Sequence, residues 1–237
     1  MKHIKVPKGT ELVFVGDIHE QEKQFDELIE KAEIGTKRIL VSVGDIYDRG
    51  EGRHVAESII NKIKDLSDKG YAFMVRGNHE QKYLNRVEIP GSGVTWTGAL
   101  KYCARLPLSI TFVFKNNIKV TALHGGVTPN YTWDDLRSNS ELMYVRNIDK
   151  EGQLTPTRKI KTSYGYEWIH QEGSVSWHEV YDGRFGYIVA GHEPMESGKV
   201  KYYKHSCNVD TKCFSTGVLS GQIICDGRLK EIIMVER

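Results

Sequence analysis

The sequence predicts an α/β fold that begins with a βαβαβ unit of parallel strands. Three short apolar runs, at residues 11–15, 38–43 and 71–76, are each followed directly by a glycine. In the two segments between these runs, apolar residues recur at intervals of three and four residues, which is the spacing of an amphipathic helix. Strand, glycine, polar loop and helix in this order are typical of parallel strands joined by helical crossovers.

Both helices of this unit have an apolar face and a glycine stop. Gly35 follows the first helical segment and Gly70 the second, and glycine is favoured directly after a helix. The apolar faces consist of Phe25, Leu28, Ile29 and Ala32 in the first helix and of Val55, Ile59, Ile63 and Leu66 in the second.

Strand patterns dominate the rest of the chain. After a helix at residues 97–104, the pattern indicates a hairpin within residues 109–123 that turns at Asn116 and Asn117. Further strands are expected at residues 185–190 and 200–204, and as a closing hairpin within residues 218–235 that turns at Asp226 and Gly227. Residues 149–183 are polar without a clear period. We therefore expect an irregular insertion there, within a single domain that spans residues 1–237.

Composition excludes several classes of protein. With 39% hydrophobic residues among 237, the chain can bury a core, which argues against a disordered protein or a disulfide-stapled miniature. Its 33 basic and 31 acidic residues leave a net charge of +2, which argues against nucleic-acid binding driven by bulk charge. The four cysteines form no CxxC pair, so we expect reduced, structural thiols.

No segment predicts a membrane protein. The chain has no run approaching about 18 consecutive apolar residues, which a spanning helix requires. The first residues, MKHIKVPKGTEL, lack the apolar core of a signal peptide. We therefore expect no membrane association and a cytoplasmic location.

Chemically active side chains follow the predicted strands. Because the carboxyl ends of parallel strands meet at one edge of a sheet, the loops after them should converge in space. The loops carry Asp17, His19, Asp45, Asp48, Arg49, Asn78 and His79, and two later strand ends add His124 and His192.

This mixture of carboxylate oxygens and imidazole nitrogens indicates a metal site. Such donors suit Mn, Fe or Zn, whereas Mg and Ca prefer oxygen ligands alone. The number of donors exceeds one tetrahedral site, so two metals about 3.5 to 4 Å apart would use it fully. Each motif has an ordinary explanation alone: Asn78 could cap a helix, and Gly125 with Gly126 could form a turn. Their occurrence at five strand ends favours the metal interpretation.

Arg49 indicates a phosphorylated substrate. A guanidinium beside two cations is repelled unless an anion lies between them, and its fork matches two oxygens of a phosphate.

The motifs GDIHE, GDIYDRG, RGNHE, HGG and GHE, in this order, resemble those of the metallophosphoesterase superfamily. Within it they look like the phosphoprotein phosphatase family, including its small bacterial and phage members. The resemblance covers residues 11–215. It implies a sandwich of two mixed β-sheets flanked by helices, with two divalent metal ions at one edge, Mn being favoured and Fe or Zn fitting as well.

The resemblance also implies a role for each matching residue. Arg49, Asn78 and Arg146 would contact the phosphate; the alternative for Arg146 is a surface arginine on a helix. His79 matches the general acid, and Asp48 its carboxylate partner. The implied metal ligands are Asp17 and His19 for the first ion, Asp45 as the bridge, and Asn78, His124 and His192 for the second.

Three positions depart from the family pattern. Glu20 stands where glycine is usual, Glu193 where threonine is usual, and Lys212 replaces a glycine after Asp210 and Thr211. We expect the two extra carboxylates to repel phosphate or to tune metal affinity.

Three functions remain open from the sequence. The favoured one is a phosphoprotein (Ser/Thr) phosphatase in which a metal-bridging hydroxide attacks phosphorus in line. The C-terminal segments SWHEVYDGRFGYIVAGHEP and NVDTKCFSTGVL look like parts of the phosphatase module of bacterial polynucleotide kinase-phosphatases. The second function is therefore an RNA-end or nucleotide phosphatase or phosphodiesterase. The third is a catalytically inactive phosphate-binding module, which a missing ligand would indicate; none is missing. The partner would accordingly be a phosphorylated protein, a small phosphoester or a single-stranded RNA end.

Two basic, aromatic stretches also bear on the second function, because stacking together with phosphate neutralisation suits single strands. An exposed insertion and an edge strand protected by lysines are the more ordinary explanation of the two stretches. The stretches comprise Arg158, Lys159, Lys161 and Tyr164, and Lys199, Lys201, Tyr202, Tyr203 and Lys204.

Overall fold

Two mixed β-sheets packed face to face form the frame of the protein. The computed structural model describes residues 2–156, 158–162, 165–169 and 171–237, with the backbone alone at residues 2, 116, 158–162 and 165–169. Helices flank the sheets, so the predicted α/β sandwich is confirmed.

The strands of the described residues are numbered in chain order. They are β1 (Lys2–Lys5), β2 (Glu11–Val15), β3 (Arg38–Ser42), β4 (Ala72–Met74), β5 (Ser109–Val113), β6 (Lys119–Leu123), β7 (Asn147–Ile148), β8 (Arg158–Thr162), β9 (Gly165–Ile169), β10 (Val175–Ser176), β11 (Tyr187–Ala190), β12 (Lys201–Tyr202), β13 (Ser206–Asn208), β14 (Val218–Cys225) and β15 (Arg228–Glu236).

The α-helices are numbered in the same way, and short 3₁₀ turns lie at Lys115–Asn117 and Ser140–Met143. The helices are α1 (Glu22–Lys31), α2 (Arg53–Asp68), α3 (Asn78–Val87), α4 (Gly98–Cys103), α5 (Asp135–Ser138), α6 (Trp177–Val180) and α7 (Cys213–Thr216).

The five-stranded sheet has the order β15-β14-β2-β3-β4. Strands β2, β3 and β4 pair in parallel, and α1 and α2 connect them. This is the βαβαβ unit that the three apolar runs predicted. The closing hairpin β14–β15 extends the sheet on the other side of β2, antiparallel to it.

The six-stranded sheet has the order β1-β5-β6-β11-β13-β12. The predicted hairpin of β5 and β6 is antiparallel, whereas β11 pairs in parallel with β6 on one side and with β13 on the other. As a result, β6 and β11 end at the same edge of this sheet, which positions the residues that follow them.

Alternating side chains of the strands fill three apolar layers. In β2, Leu12 and Phe14 point between the two sheets, where the Phe14 ring meets that of Phe112 edge-on with centroids 5.8 Å apart. Val13 and Val15 point to the opposite face, into the layer that the flanking helices cover. A third layer lies on the outer face of the six-stranded sheet. The period of two along the strands thus fixes which residues face which layer.

Residues 149–183 differ from the expectation of an irregular insertion. They contain the antiparallel pair β8–β9, the short strand β10 and helix α6. Within the described part of the chain, the pair β8–β9 is hydrogen-bonded to neither large sheet. A ribbon outside the sheets needs no continuous apolar run, so its sequence carries no clear strand pattern.

Some shorter elements also differ from the prediction. Strand β4 covers only three of the residues 71–76, and β1 and β13 were not expected. Strand β1 has the sequence KHIK, which contains a single aliphatic residue and so gives no apolar run. Among the described strands it lies at the edge of its sheet and pairs with β5 alone. Strand β12, within the predicted residues 200–204, is also short.

The structure also bears on the predictions for the cysteines and for membrane-spanning helices. All four cysteines are free thiols, three of them buried. No helix among the described residues has the length and apolar character needed to cross a bilayer.

Candidate active site

The polar loops after five strands meet at one edge of the sandwich. The loops after β2 and β3 and the start of α3 belong to the five-stranded sheet, and the turns after β6 and β11 belong to the six-stranded sheet. Together they border a cleft of about 720 Å³. The predicted site residues in its wall are Asp17, His19, Asp45, Arg49, Asn78, His79, Arg146 and His192.

Asp45 lies at the centre of this arrangement. Two groups of side chains that could hold a metal ion share its carboxylate: one with His19 and His79, the other with His124 and His192. In each group, ligand atoms lie within 4.8 Å of one another. The Asp45 Oδ2 atom is 3.2 Å from His124 Nε2 and 3.7 Å from His79 Nε2. One carboxylate placed between two donor groups is the arrangement that a bridged pair of ions requires.

Backbone carbonyls orient two of the imidazoles. The Nδ1 atom of His19 hydrogen-bonds the carbonyl of Tyr47 at 2.8 Å, and that of His124 hydrogen-bonds the carbonyl of Val43 at 2.8 Å. In His124 this leaves Nε2 facing the Oδ1 of Asn78 at 2.9 Å. A ring held through Nδ1–H presents Nε2 with its lone pair available for a metal ion.

Burial keeps two of these histidines neutral. Burial lowers the pKa of His19 from 6.5 to about 4. Burial, together with the nearby charge of Arg146, holds the pKa of His192 well below its usual value. Because only a neutral imidazole coordinates a metal, both rings are in the protonation state that a ligand needs.

Asp17 differs in position from the other predicted ligands. Within the described part of the chain it belongs to neither donor group. Its carboxylate accepts hydrogen bonds from the backbone N–H of His192 at 3.1 and 3.2 Å and pairs with the buried carboxyl of Asp210. Burial and the charges of Asp210 and Asp45 raise the pKa of Asp17. Carboxyls this close together are a site to which a cation would bring compensating charge.

Glycines beside the carboxylates leave room for this crowding. A Cβ atom added at Gly77 would lie 2.2 Å from Asp45 Oδ1, and one at Gly191 would lie 2.1 Å from Asp17 Oδ1. Neither position admits a side chain without displacing a carboxylate. Together, the neutral imidazoles, the buried carboxylates and this close approach fit a pair of divalent ions.

His79 and Asp48 form a hydrogen-bonded pair beside the donor groups. The Nδ1 of His79 lies 2.5 Å from Asp48 Oδ2. Asp48 also accepts hydrogen bonds from Lys82 Nζ at 2.7 Å and from the Tyr83 hydroxyl at 3.0 Å. Partial burial alone would raise the pKa of Asp48, but its hydrogen bonds to His79 and Lys82 outweigh this and lower it below the usual range. Asp48 is therefore ionised at neutral pH.

Two arginines reach the cleft from different elements. Arg49 is exposed, and its guanidinium carbon lies 4.6 Å from the centre of the Phe214 ring. Arg146 precedes β7 directly, and its Nη2 donates to the carbonyl of His192 at 2.9 Å. Arg146 is mostly buried and lies in the cleft wall, so the alternative of a surface arginine on a helix is wrong.

Sequence reasoning assigned no role to Asp210, described above with Asp17, or to Glu80. Glu80 is fully buried and accepts hydrogen bonds from the backbone N–H groups of Gly77, Asp45 and Ile46 at 2.8 to 2.9 Å. It therefore fixes the loop of Asp45 to the start of α3. The position of Glu80 as third residue of α3, where an acidic residue can bond the helix start, could have identified it.

The three departures from the family pattern have distinct surroundings. Glu20 accepts hydrogen bonds from backbone N–H groups of the loop after β3. Glu193 lines the cleft, and burial raises its pKa to about 7. Lys212 has a φ of +54° and its ammonium contacts the carboxylate of Glu196 at 2.5 Å. The left-handed backbone at Lys212 explains why glycine suits this position.

The two basic, aromatic stretches can be compared with the cleft only in part. Tyr164 lies outside the described residues, as do the side chains of Arg158, Lys159 and Lys161. In the second stretch, Lys201 and Tyr203 line the cleft, with the Lys201 ammonium 4.9 Å from the centre of the Tyr203 ring.

Solved structures share this fold. A candidate diadenosine tetraphosphatase superposes with a TM-score of 0.72 at 23% identity, over 99% of this chain and 97% of its own. A protein serine/threonine phosphatase from Saccharomyces cerevisiae gives 0.59 at 18% identity, over 100% and 84% of the two chains. A cold-active protein-tyrosine phosphatase of a psychrophilic Shewanella species gives 0.56 at 16% identity, over 97% and 78%. At these identities the likeness concerns the fold.

Sequence comparison identifies the family. A search of curated proteins finds no match. The family model of calcineurin-like phosphoesterases matches residues 10–214, which include every residue that the resemblance singled out. This chain belongs to the calcineurin-like phosphoesterase family.

Proposed function

We propose that this protein hydrolyses phosphoesters with two divalent metal ions held around Asp45. The carrying observation is that two donor groups share this single carboxylate. The ligands we propose are Asp17, His19 and Asp45 for one ion, and Asp45, Asn78, His124 and His192 for the other. Ions bound there would supply Lewis-acid charge neutralisation and lower the pKa of water from about 15.7 toward about 7.

The two arginines would bind the phosphoryl group. Arg49 and Arg146 both line the cleft that the donor groups border, and a guanidinium fork matches two phosphate oxygens. Arg49 is exposed beside Phe214, whereas Arg146 is tied to the His192 carbonyl. Arg146 would therefore act as the fixed contact and Arg49 as the one that closes on the substrate.

His79 would protonate the leaving oxygen. Asp48 holds the ring through Nδ1, which leaves Nε2 as the atom that can give a proton to a departing alkoxide. The same hydrogen bond fixes the ring plane, so the proton donor needs no reorientation during the reaction. Lys82 and Tyr83 keep the Asp48 carboxylate in place.

For the substrate we propose a phosphorylated serine or threonine side chain first, on the support of the RGNHE and HGG motif forms. A nucleotide or an RNA end is the second candidate. It is favoured by the aromatic side chains of Phe214 and Tyr203 in the cleft wall, each next to a cation. Aromatic rings beside cations can hold a base next to its phosphate.

A substrate panel tests both candidates. The protein, loaded with Mn²⁺, is assayed on phosphopeptides, RNA with a terminal or 2′,3′-cyclic phosphate, a dinucleoside polyphosphate and an aryl phosphate, and kcat/KM is compared. The highest value on phosphoserine or phosphothreonine peptides supports the first candidate, and the highest value on nucleotides or RNA ends supports the second. Inertness on all of them with metal bound would contradict the proposed hydrolase and leave the phosphate-binding module.

A further inference from the structure

We propose that Glu20 is a positioning residue, a built-in anion that holds the loop of Asp48 and Arg49 in its working shape. The inference rests on the proposed function, because the loop matters through these two residues. The Glu20 side chain is buried, with 5% of the residue exposed. Its Oε1 accepts a hydrogen bond from the backbone N–H of Asp48, and its Oε2 accepts from Gly50 and Gly52, all at 2.9 Å.

The loop has a backbone shape that such an anion can stabilise. Asp48 and Arg49 both have left-handed backbones, with φ of +70° and +74°. This conformation costs a non-glycine residue about 1 to 2 kcal/mol. N–H groups that converge within a short loop form a concavity that attracts an anion. The carboxylate of Glu20 occupies that concavity and so offsets the cost of the shape.

The backbone of Glu20 itself supports a specific role. Its φ is +63°, in the region that favours glycine, and the family usually has glycine there. A glutamate occupies this unfavourable conformation, and its side chain forms three hydrogen bonds that a glycine could not form.

The hydrogen bonds of Glu20 bracket the phosphate-binding arginine. They engage the N–H groups of Asp48, directly before Arg49, and of Gly50, directly after it. Fixing both neighbours fixes the point from which the Arg49 side chain extends. The same contacts place the Asp48 carboxylate against His79. Glu20 therefore links the general acid and the phosphate contact to one carboxylate.

The placement of Glu20 bears on the expectation that its carboxylate repels phosphate or tunes metal affinity. Glu20 does not line the cleft but accepts three N–H groups of the loop behind it. The effect that we propose for Glu20 is therefore on the loop. Glu20 is also joined through its own backbone to the loop after β3, where its N–H donates to the Ile46 carbonyl at 2.8 Å.

The test compares three single variants of the full chain, together with Arg49→Ala and its combinations with the Glu20 variants. Glu20→Gln keeps the size but removes the charge, and Glu20→Gly restores the usual family residue. Glu51→Gln is the matched control, because Glu51 lies in the same loop, is exposed and forms no hydrogen bond to the described residues. Backbone hydrogen exchange at Asp48, Gly50 and Gly52 is measured in the metal-free protein. Metal content, and kcat/KM on aryl and alkyl phosphates, are measured in the loaded protein.

In both Glu20 variants we expect faster exchange at the three amides and unchanged metal content. We expect kcat/KM to fall on the order of 10- to 100-fold, the scale that misplacing a catalytic group by about 1 Å produces. The loss should be larger for alkyl than for aryl phosphates, because Asp48 acts through the general acid. Combined with Arg49→Ala, the losses should be less than multiplicative, since both act through the same side chain.

Exchange and kinetics equal to those of Glu51→Gln would overturn the proposal. Losses that multiply fully with Arg49→Ala would overturn the part of the proposal that concerns Arg49, because Glu20 would then act independently of that side chain. If the wild-type protein hydrolyses neither phosphate, the proposed function fails, whereas the exchange measurement still decides whether Glu20 holds the loop.

Discussion

The Nδ1 atom of His79 lies 2.5 Å from the Oδ2 of Asp48, while its Nε2 is 3.7 Å from the Oδ2 of Asp45. One ring thus bridges an ionised carboxylate behind the cleft and the carboxylate at the centre of the donor groups. Such a ring can be a proton donor or a metal ligand, and its proximity to His19 and Asp45 permits either role. The dependence of the rate on the leaving group distinguishes the proton-donor role from the metal-ligand role.

His79→Asn should slow alkyl phosphate hydrolysis on the order of 100-fold or more, the usual contribution of a general acid. Aryl phosphate hydrolysis should slow much less, because a good leaving group needs little protonation. The measurement is kcat/KM for both esters at saturating Mn²⁺. Equal losses on the two esters, with a loss of bound metal, would assign His79 to the ligands instead.

Asp45→Asn should remove metal and activity together, because both donor groups lose their shared carboxylate. Bound metal is measured by elemental analysis after gel filtration. Asp65→Asn, at an exposed position of α2, serves as the control and should keep both ions. Two ions per chain in Asp45→Asn would contradict the bridging role.

Glu193→Thr should strengthen inhibition by inorganic phosphate several-fold. Glu193 lines the cleft and its carboxylate interacts with the charge of Arg146, so it competes with phosphate for that guanidinium. The inhibition constant is measured against an aryl phosphate substrate, with Glu27→Thr on the exposed face of α1 as the control. An unchanged inhibition constant would show that Glu193 does not oppose phosphate.

His178 should make the folded protein less stable as the pH falls. It stacks on Tyr203 with centroids 4.2 Å apart, and burial lowers its pKa from 6.5 to about 3. Below pH 6.5, His178 therefore binds a proton in the unfolded chain but stays neutral in the folded chain. The free energy of unfolding consequently decreases as the pH falls toward 3. Between pH 6.5 and 4, the free energy of unfolding should decrease less steeply in His178→Phe than in the wild type. The two slopes should differ by up to about 1.4 kcal/mol per pH unit.

Urea unfolding of the metal-free proteins at several pH values measures this difference. Parallel slopes for wild type and His178→Phe would mean that the imidazole is accessible to protons in the folded state.

The parts of the site that the sequence predicted lie next to strand ends. Asp45, His124 and His192 could be located because an apolar run precedes each of them and adjacent glycines mark the turns. Asp210 follows β13, a strand of only three residues, Ser206–Asn208, which lacks an apolar run. Its contact with Asp17 joins positions 193 residues apart and depends on the assembly of both sheets.

The other features that sequence reasoning missed depend on contacts that form only in the folded chain. Glu80 accepts the N–H groups of Asp45 and Ile46, and Glu20 accepts those of the loop after β3, at 2.8 to 2.9 Å. These partners lie 28 to 35 residues away in sequence, and no spacing pattern encodes such contacts, whereas the bond from Gly77 to Glu80 follows from the place of Glu80 as third residue of α3. The ribbon β8–β9 was missed because, among the described residues, it pairs with neither of the two large sheets and its sequence has no continuous apolar run. Apolar periodicity thus predicts which residues are packed, and the long-range contacts of the carboxylates that shape the loops follow only from the three-dimensional structure.

The proposed ligands come from both sheets: Asp17, His19, Asp45 and Asn78 from the five-stranded sheet, His124 and His192 from the six-stranded one. An ion bound by ligands from both sheets would hold the two sheets together at the edge that borders the cleft. Since binding to the folded form alone shifts the folding equilibrium, sheet closure and ion loading would form one linked equilibrium. Ion supply would then set how much assembled protein exists, in addition to how fast each molecule turns over.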